Sequence, residues 1–199
     1  HSFVTESNYS NINALEVDFN DDIIVAGYVN LDYTFDGSTE QRETMLVAKI
    51  TNLTGEVSWQ KKIALDDVDD GRVTGISLDS VGNIYATGTY RLDNPSDNSN
   101  PAFGFGGRKS NAVVIFKMTT LGTMVWDRRV GPGQCSWVGV STAVGEDGDL
   151  YLYASTYQIK PSGNVDSDNG YWNATLALAR YNKATGDVIW QSYFDNPLA

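Results

Sequence analysis

One segment of this chain is written three times. Leu53-Thr54-Gly55-Glu56-Val57-Ser58-Trp59 recurs as Leu121-Gly122-Thr123-Met124-Val125-Trp126 and again as Ala184-Thr185-Gly186-Asp187-Val188-Ile189-Trp190. A second segment precedes each copy: Asp18-Phe19-Asn20-Asp21-Asp22-Ile23-Ile24-Val25-Ala26-Gly27, Asp79-Ser80-Val81-Gly82-Asn83-Ile84-Tyr85-Ala86-Thr87-Gly88, and Gly145-Glu146-Asp147-Gly148-Asp149-Leu150-Tyr151-Leu152-Tyr153-Ala154. The tryptophans stand 67 and 64 residues apart. A fixed period means a modular array, in which each unit buries its apolar face only by stacking on a neighbour.

Within each unit, four short apolar segments are separated by turn signals. In the second unit they are 73–78, 84–90, 112–118 and 123–130, with turns at Gly82-Asn83 and Leu121-Gly122. Val57, Trp59 and Ile63 share one parity, as do Met124, Trp126 and Val130, and Val188, Trp190 and Phe194. Equal parity places each set on one face of a strand. Gly55, Gly122 and Gly186 stand two to four residues before the tryptophan strand, where a tight hairpin needs positive φ. No segment sustains a 3.6-residue apolar period, so no helix longer than a turn is expected. The 19 glycines and 12% aromatic content suit strands joined by tight turns.

The expected fold is therefore all-β. Four antiparallel strands per unit, repeated at this period, predict β-propeller blades at about 12–63, 72–130 and 137–194 within a single domain, 1–199. Three blades are too few to close a ring, since propellers have about four to eight. The chain reads as part of a larger ring, with pairing of two chains into a six-bladed ring as the alternative.

The formal net charge of −11 disfavours nucleic acid and anionic membrane as partners, because both reward clustered Lys and Arg. No window approaches the roughly 18 consecutive apolar residues of a membrane span. A single cysteine, Cys135, excludes an internal disulfide and a cysteine-rich zinc site. Three Asn-x-Ser/Thr sequons, at Asn8, Asn52 and Asn173, are candidate glycosylation sites and point to a secreted or cell-surface protein. The only histidine is His1. A copper histidine brace needs a second one, and Ser-His or Cys-His catalysis would need the N-terminus to fold back.

The second repeat carries a resemblance. Its Asp79-to-Gly88 segment, then Val114-Ile115-Phe116-Lys117-Met118 and Gly122-Thr123-Met124-Val125-Trp126, resemble the SBBP β-propeller repeat: Asp-x-x-Gly-Asn-x-Tyr-x-x-Gly, a strand ending in Lys, then a Gly turn before an apolar-Trp strand. The first repeat has Asp21-Asp22 where Gly-Asn is expected; the third has Gly145 for Asp, Ala154 for Gly and Arg180 for Lys. The resemblance covers nearly the whole chain and implies a propeller in a large secreted or surface protein, with no activity attached. The Thr-Gly-x-x-x-Trp pattern at Thr54 and Thr185 is also similar to the quinoprotein (PQQ-type) dehydrogenase repeat. That similarity implies a blade-docking role for Trp59, Trp126 and Trp190; the adjacent Cys-Cys pair of many such enzymes is impossible with one Cys.

Candidate chemistry is sparse. Gly104-Phe105-Gly106-Gly107 lacks the Lys-Ser/Thr of a phosphate loop. Carboxylates are numerous enough for a paired-acid glycosidase, but no pair is singled out. Asn164, Asp166 and Asp168 place oxygen ligands at alternate positions ahead of Gly170, which makes calcium the candidate cofactor. Asp66-Asp67-Val68-Asp69-Asp70-Gly71 reads as a second acidic turn. Stretches 29–44, 91–111 and 158–173, with linker 65–71, are expected to be long loops on one rim, bearing Phe103, Phe105, Tyr171 and Trp172 as candidate contacts for a glycan or a protein. The functional expectation is a non-enzymatic extracellular structural, adhesive or protein-interaction module, with partners or self-assembly through the blade faces and that rim. The alternatives are a calcium- or carbohydrate-binding lectin-like propeller and a quinone-dependent or hydrolytic enzyme.

Overall fold

The computed structural model describes residues 10–35, 38–63, 68–92, 111–130, 136–158 and 173–194. Among them are twelve strands and no helix. The first sheet comprises β1 (Ser10–Val17), β2 (Ile23–Phe35), β3 (Ser38–Ile50) and β4 (Val57–Ile63). The second comprises β5 (Val68–Leu78), β6 (Ile84–Leu92), β7 (Asn111–Met118) and β8 (Met124–Val130). The third comprises β9 (Ser136–Val144), β10 (Leu150–Gln158), β11 (Asn173–Tyr181) and β12 (Val188–Phe194). Each sheet is a four-stranded antiparallel meander in chain order, one per sequence repeat.

Alternation along the strands builds two cores. Ile24, Ala26, Met45 and Val47 of the first sheet meet Ile84, Ala86, Val114 and Phe116 of the second. The opposite face of the second sheet, through Tyr85, Val113, Ile115 and Trp126, meets Leu150, Leu152, Ala177 and Ala179 of the third. Adjacent residues of β7 thus serve different cores, which is why it reads as an unbroken apolar run. Burying a side chain the size of Phe116 or Ile115 stabilises by about 1.5–3 kcal/mol, and both are fully buried. β5 lies against β1, β2 and β3, and β9 against β5, β6 and β7. The first strands of successive sheets therefore run side by side.

The three tryptophans occupy equivalent register positions, opposite Lys49, Lys117 and Arg180. In every sheet a bulge adjoins it on the tryptophan strand itself, where Ser58, Val125 and Ile189 are the extra residues. The Trp59 indole N–H donates to the Thr120 carbonyl of the next sheet at 3.2 Å, and Trp126 does the same to Lys183 at 3.2 Å. Each ring lies on a glycine: a Cβ added at Gly122 would fall 2.9 Å from the Trp59 ring, and one at Gly186 would fall 2.7 Å from Trp126. Both glycines also have positive φ, 75° and 72°. Burial of the three tryptophans differs along the array. Trp126 is 7% exposed and Trp59 half-buried, whereas Trp190, on the last described sheet, is 38% exposed.

Two expected loops are strand instead. Stretch 29–44 forms the outer arms of the β2–β3 hairpin, paired from Ile23↔Ile50 out to Phe35↔Ser38. Of the acidic stretch 66–71, residues from Val68 onward open β5, with Asp70 in register with Arg91.

Candidate functional site

The turns that follow β1, β5 and β9 share one backbone frame. Asp18 N–H bonds the Asp22 carbonyl at 2.9 Å and Asp21 N–H bonds the Asp18 carbonyl at 3.0 Å; Asp79, Gly82 and Asn83 repeat the pattern, as do Gly145, Gly148 and Asp149. The fourth residue is left-handed in each: Asp21 at φ 61°, Gly82 at 82° and Gly148 at 82°. Asp is among the few L-residues that tolerate this region, which explains how the first repeat dispenses with the glycine.

Carboxylates then tie each turn to the third strand of its sheet. Asp18 Oδ1 accepts from the Asn20 and Asp22 amides at 2.8 and 3.1 Å, and Asp18 Oδ2 accepts from Lys49 Nζ at 2.7 Å. Burial alone would raise the Asp18 carboxyl, but Lys49 and those amides hold it below the usual carboxylate range. Asp22, which accepts from the Asn52 amide and pairs with Lys49 at 3.0 Å, is held low as well. Asp79 Oδ1 accepts from the Val81 and Asn83 amides at 3.1 and 2.8 Å, with Lys117 Nζ 4.0 Å from Oδ2. In the third sheet Arg180 bridges Asp147 and Asp149 at 2.5 and 2.8 Å. Burial opposes ionisation of Asp149, and the Lys183 amide and Arg180 outweigh it. Lys117 also lies 4.7 Å from the centre of the Tyr85 ring, and burial pushes the Tyr85 hydroxyl above its ordinary range.

Where β1, β5 and β9 come together at this end, they leave a cleft of about 470 Å³. Glu16, Val17, Asp18 and Phe19 form one wall, Ser77 to Ser80 with Gly82 another, and Thr142, Ala143 and Val144 the third. Ser77 Oγ and Thr142 Oγ1 are 2.9 Å apart across the second and third walls. Phe19 is 69% exposed, with its ring edge against Gly82, where a Cβ would come within 3.0 Å. Asp18 and Asp79 are committed to their turns. Glu16 has no hydrogen-bond or ion-pair partner among the described residues. None of the lining residues is Lys, Arg or His. The arrangement offers an aromatic platform, hydroxyls and one uncommitted carboxylate, in a field that repels anions.

This cleft lies at the short-turn rim, opposite the rim expected to be the working face. Asn164, Asp166 and Asp168 lie outside the described residues, as do Asn8, Cys135, Phe103, Phe105, Tyr171 and Trp172. Among the described residues, no group of three or more His, Cys, Asp or Glu is placed to hold a metal. Asn52 is exposed in the β3–β4 turn, and Asn173 opens β11. No described helix is long and apolar enough to cross a membrane. Glu16, Ser77 and Thr142 belong to no sequence motif. The usable signal is Phe19, which fills a turn position held by Ser80 and Glu146 in the other repeats.

No protein-family model matches the chain, and no curated protein matches its sequence. Solved structures resemble it, among them two of one enzyme. One is described as a new family of polysaccharide lyase, PL25 ulvan lyase; the other is that lyase bound to -[GlcA(1-4)Rha3S]-. Each is 12% identical, with a TM-score of 0.53, covering 96% of this chain and 44% of the lyase. The chain therefore spans less than half the length of the structures it matches. This corrects the expectation of a non-enzymatic structural or adhesive module: solved structures that match nearly the whole chain are those of a polysaccharide lyase.

Proposed function

We propose that the three sheets are consecutive blades of a β-propeller in a carbohydrate-active enzyme, and that the cleft between their first strands holds the glycan. The observation that carries this reading is the exposed Phe19 ring, fixed over Gly82 beside Glu16 and the Ser77–Thr142 hydroxyl pair. Sugar rings present C–H faces that pack on aromatic rings, and equatorial hydroxyls that bond carboxylates and hydroxyls. The likeness of nearly the whole chain to part of a polysaccharide lyase supports the substrate class. The cleft's own charge selects within that class. With acidic side chains and no cation among its lining residues, it favours a neutral stretch of polysaccharide over a uronate- or sulfate-bearing one. In this reading Glu16 accepts hydrogen bonds from sugar hydroxyls.

Affinity electrophoresis against neutral and anionic polysaccharides tests it, paired with assays for new reducing ends and for ultraviolet-absorbing unsaturated products. Retardation by a neutral glycan is expected, weakened about tenfold in Phe19→Ala with unchanged circular dichroism. Failure of every neutral glycan to bind, or a Phe19→Ala variant that binds like the parent, would overturn the proposal.

A further inference from the structure

Two junctions among the described sheets are built to one plan, and the first and last of those sheets carry the two halves of a third. At each internal junction an indole N–H from a fourth strand meets a turn carbonyl of the next sheet, and the ring covers a left-handed glycine. Trp190 keeps the donor half. It stands edge-on to Tyr151, with centroids 6.2 Å apart and planes at 66°, just as Trp126 stands to Tyr85 at 6.1 Å and 66°. Yet Trp190 is 38% exposed, and on the same face Leu176 and Phe194 are 38% and 55% exposed.

The turn at 51–56 keeps the acceptor half. Gly55 N–H bonds the Thr51 carbonyl at 2.8 Å, as Gly186 bonds Asn182 at 2.8 Å. Its φ is 69° against 72° for Gly186. Beside Gly186 lies the Trp126 ring; where a Cβ on Gly55 would stand, nothing lies within 4 Å. Asn52 occupies the place of Lys183, whose carbonyl receives the Trp126 indole.

We propose that a second copy of this chain supplies the missing partner, docking head to tail so that Trp190 of one copy sits on the 51–56 turn of the next, its indole N–H on the Asn52 carbonyl. The contact continues an interface that the chain already makes twice within itself. It is heterologous, because the surface that gives differs from the surface that receives. It does not depend on the glycan reading.

Sedimentation velocity over a concentration series tests it. Concentration-dependent association is expected for the parent chain. Trp190→Ala should weaken it roughly tenfold or more, as loss of a buried interface tryptophan does. Gly55→Asn should do the same without touching Trp190: Asn accepts the left-handed conformation, but its side chain fills the space for the ring. A heterologous contact has a sharper signature. Each variant alone loses one half, while an equimolar mixture restores one intact junction and yields a one-to-one complex. A parent chain that stays monomeric at every concentration would overturn the proposal, as would variants that associate like the parent, or a mixture that forms no complex.

Discussion

Gly55, Gly122 and Gly186 have nearly the same backbone conformation, with φ of 69°, 75° and 72°, and differ in what lies above them. The comparison separates two penalties that usually arrive together. Gly55→Ala meets no neighbour, so it carries only the left-handed cost of about 1–2 kcal/mol. Gly122→Ala carries that cost and also pushes a methyl to 2.9 Å from the Trp59 ring, adding about 1–3 kcal/mol of overpacking. Urea denaturation of the two variants should therefore rank Gly122→Ala clearly below Gly55→Ala; equal losses would mean that the Trp59 ring yields freely. The turn glycines were readable in the sequence as left-handed positions. Their second duty, as the floor under a neighbour's indole, was not, because it depends on which sheet stands beside which. Asp21 shows the reverse: the sequence departs from glycine there while the backbone does not.

Among the strands, the tryptophan-bearing β4, β8 and β12 differ chiefly in whether another described sheet follows. Trp126→Ala should cost about 3–5 kcal/mol, the usual range for emptying a core aromatic site. Trp190→Ala, with more than a third of its surface already exposed, should cost about 1 kcal/mol in dilute solution, where self-docking is absent. Equal losses in parallel denaturation curves would contradict the observed burial. Parity and turn spacing made the four-strand units legible, because period two and glycine placement are local properties. The outer hairpin 29–44 was not legible. Its polar residues Asn30, Asp32, Glu40 and Arg42 mimic a loop, yet thirteen-residue strands pair there continuously. The cleft was equally hidden: its walls come from residues 16–19, 77–80, 82 and 142–144, joined only by the stacking of three first strands.

For the molecule as a whole, charge and fold pull against each other. Acidification from neutral pH relieves the self-repulsion of a chain with net charge −11. It also attacks the turn carboxylates. Asp18 and Asp149 ionise at lower pH in the folded chain than the usual carboxylate does. In the acid range the unfolded chain therefore binds more protons than the folded one. Their contribution is complete above the unfolded pKa of about 4 and is lost as pH falls through the folded values. The melting temperature should hold between about pH 7 and 5, then fall below about 4. In Asp18→Asn and Asp149→Asn that acid limb should flatten, and an unchanged limb would assign acid sensitivity elsewhere. The direction of the tryptophan contacts has a different consequence. Every junction points the same way along the chain, from a fourth strand forward to the next turn, so order matters while the starting point does not. A circular permutant that begins at the second sheet and ends with the first would give up the Trp59–Gly122 contact and gain an equivalent one between Trp190 and Gly55. The array is indifferent to where it is cut and intolerant of being reversed.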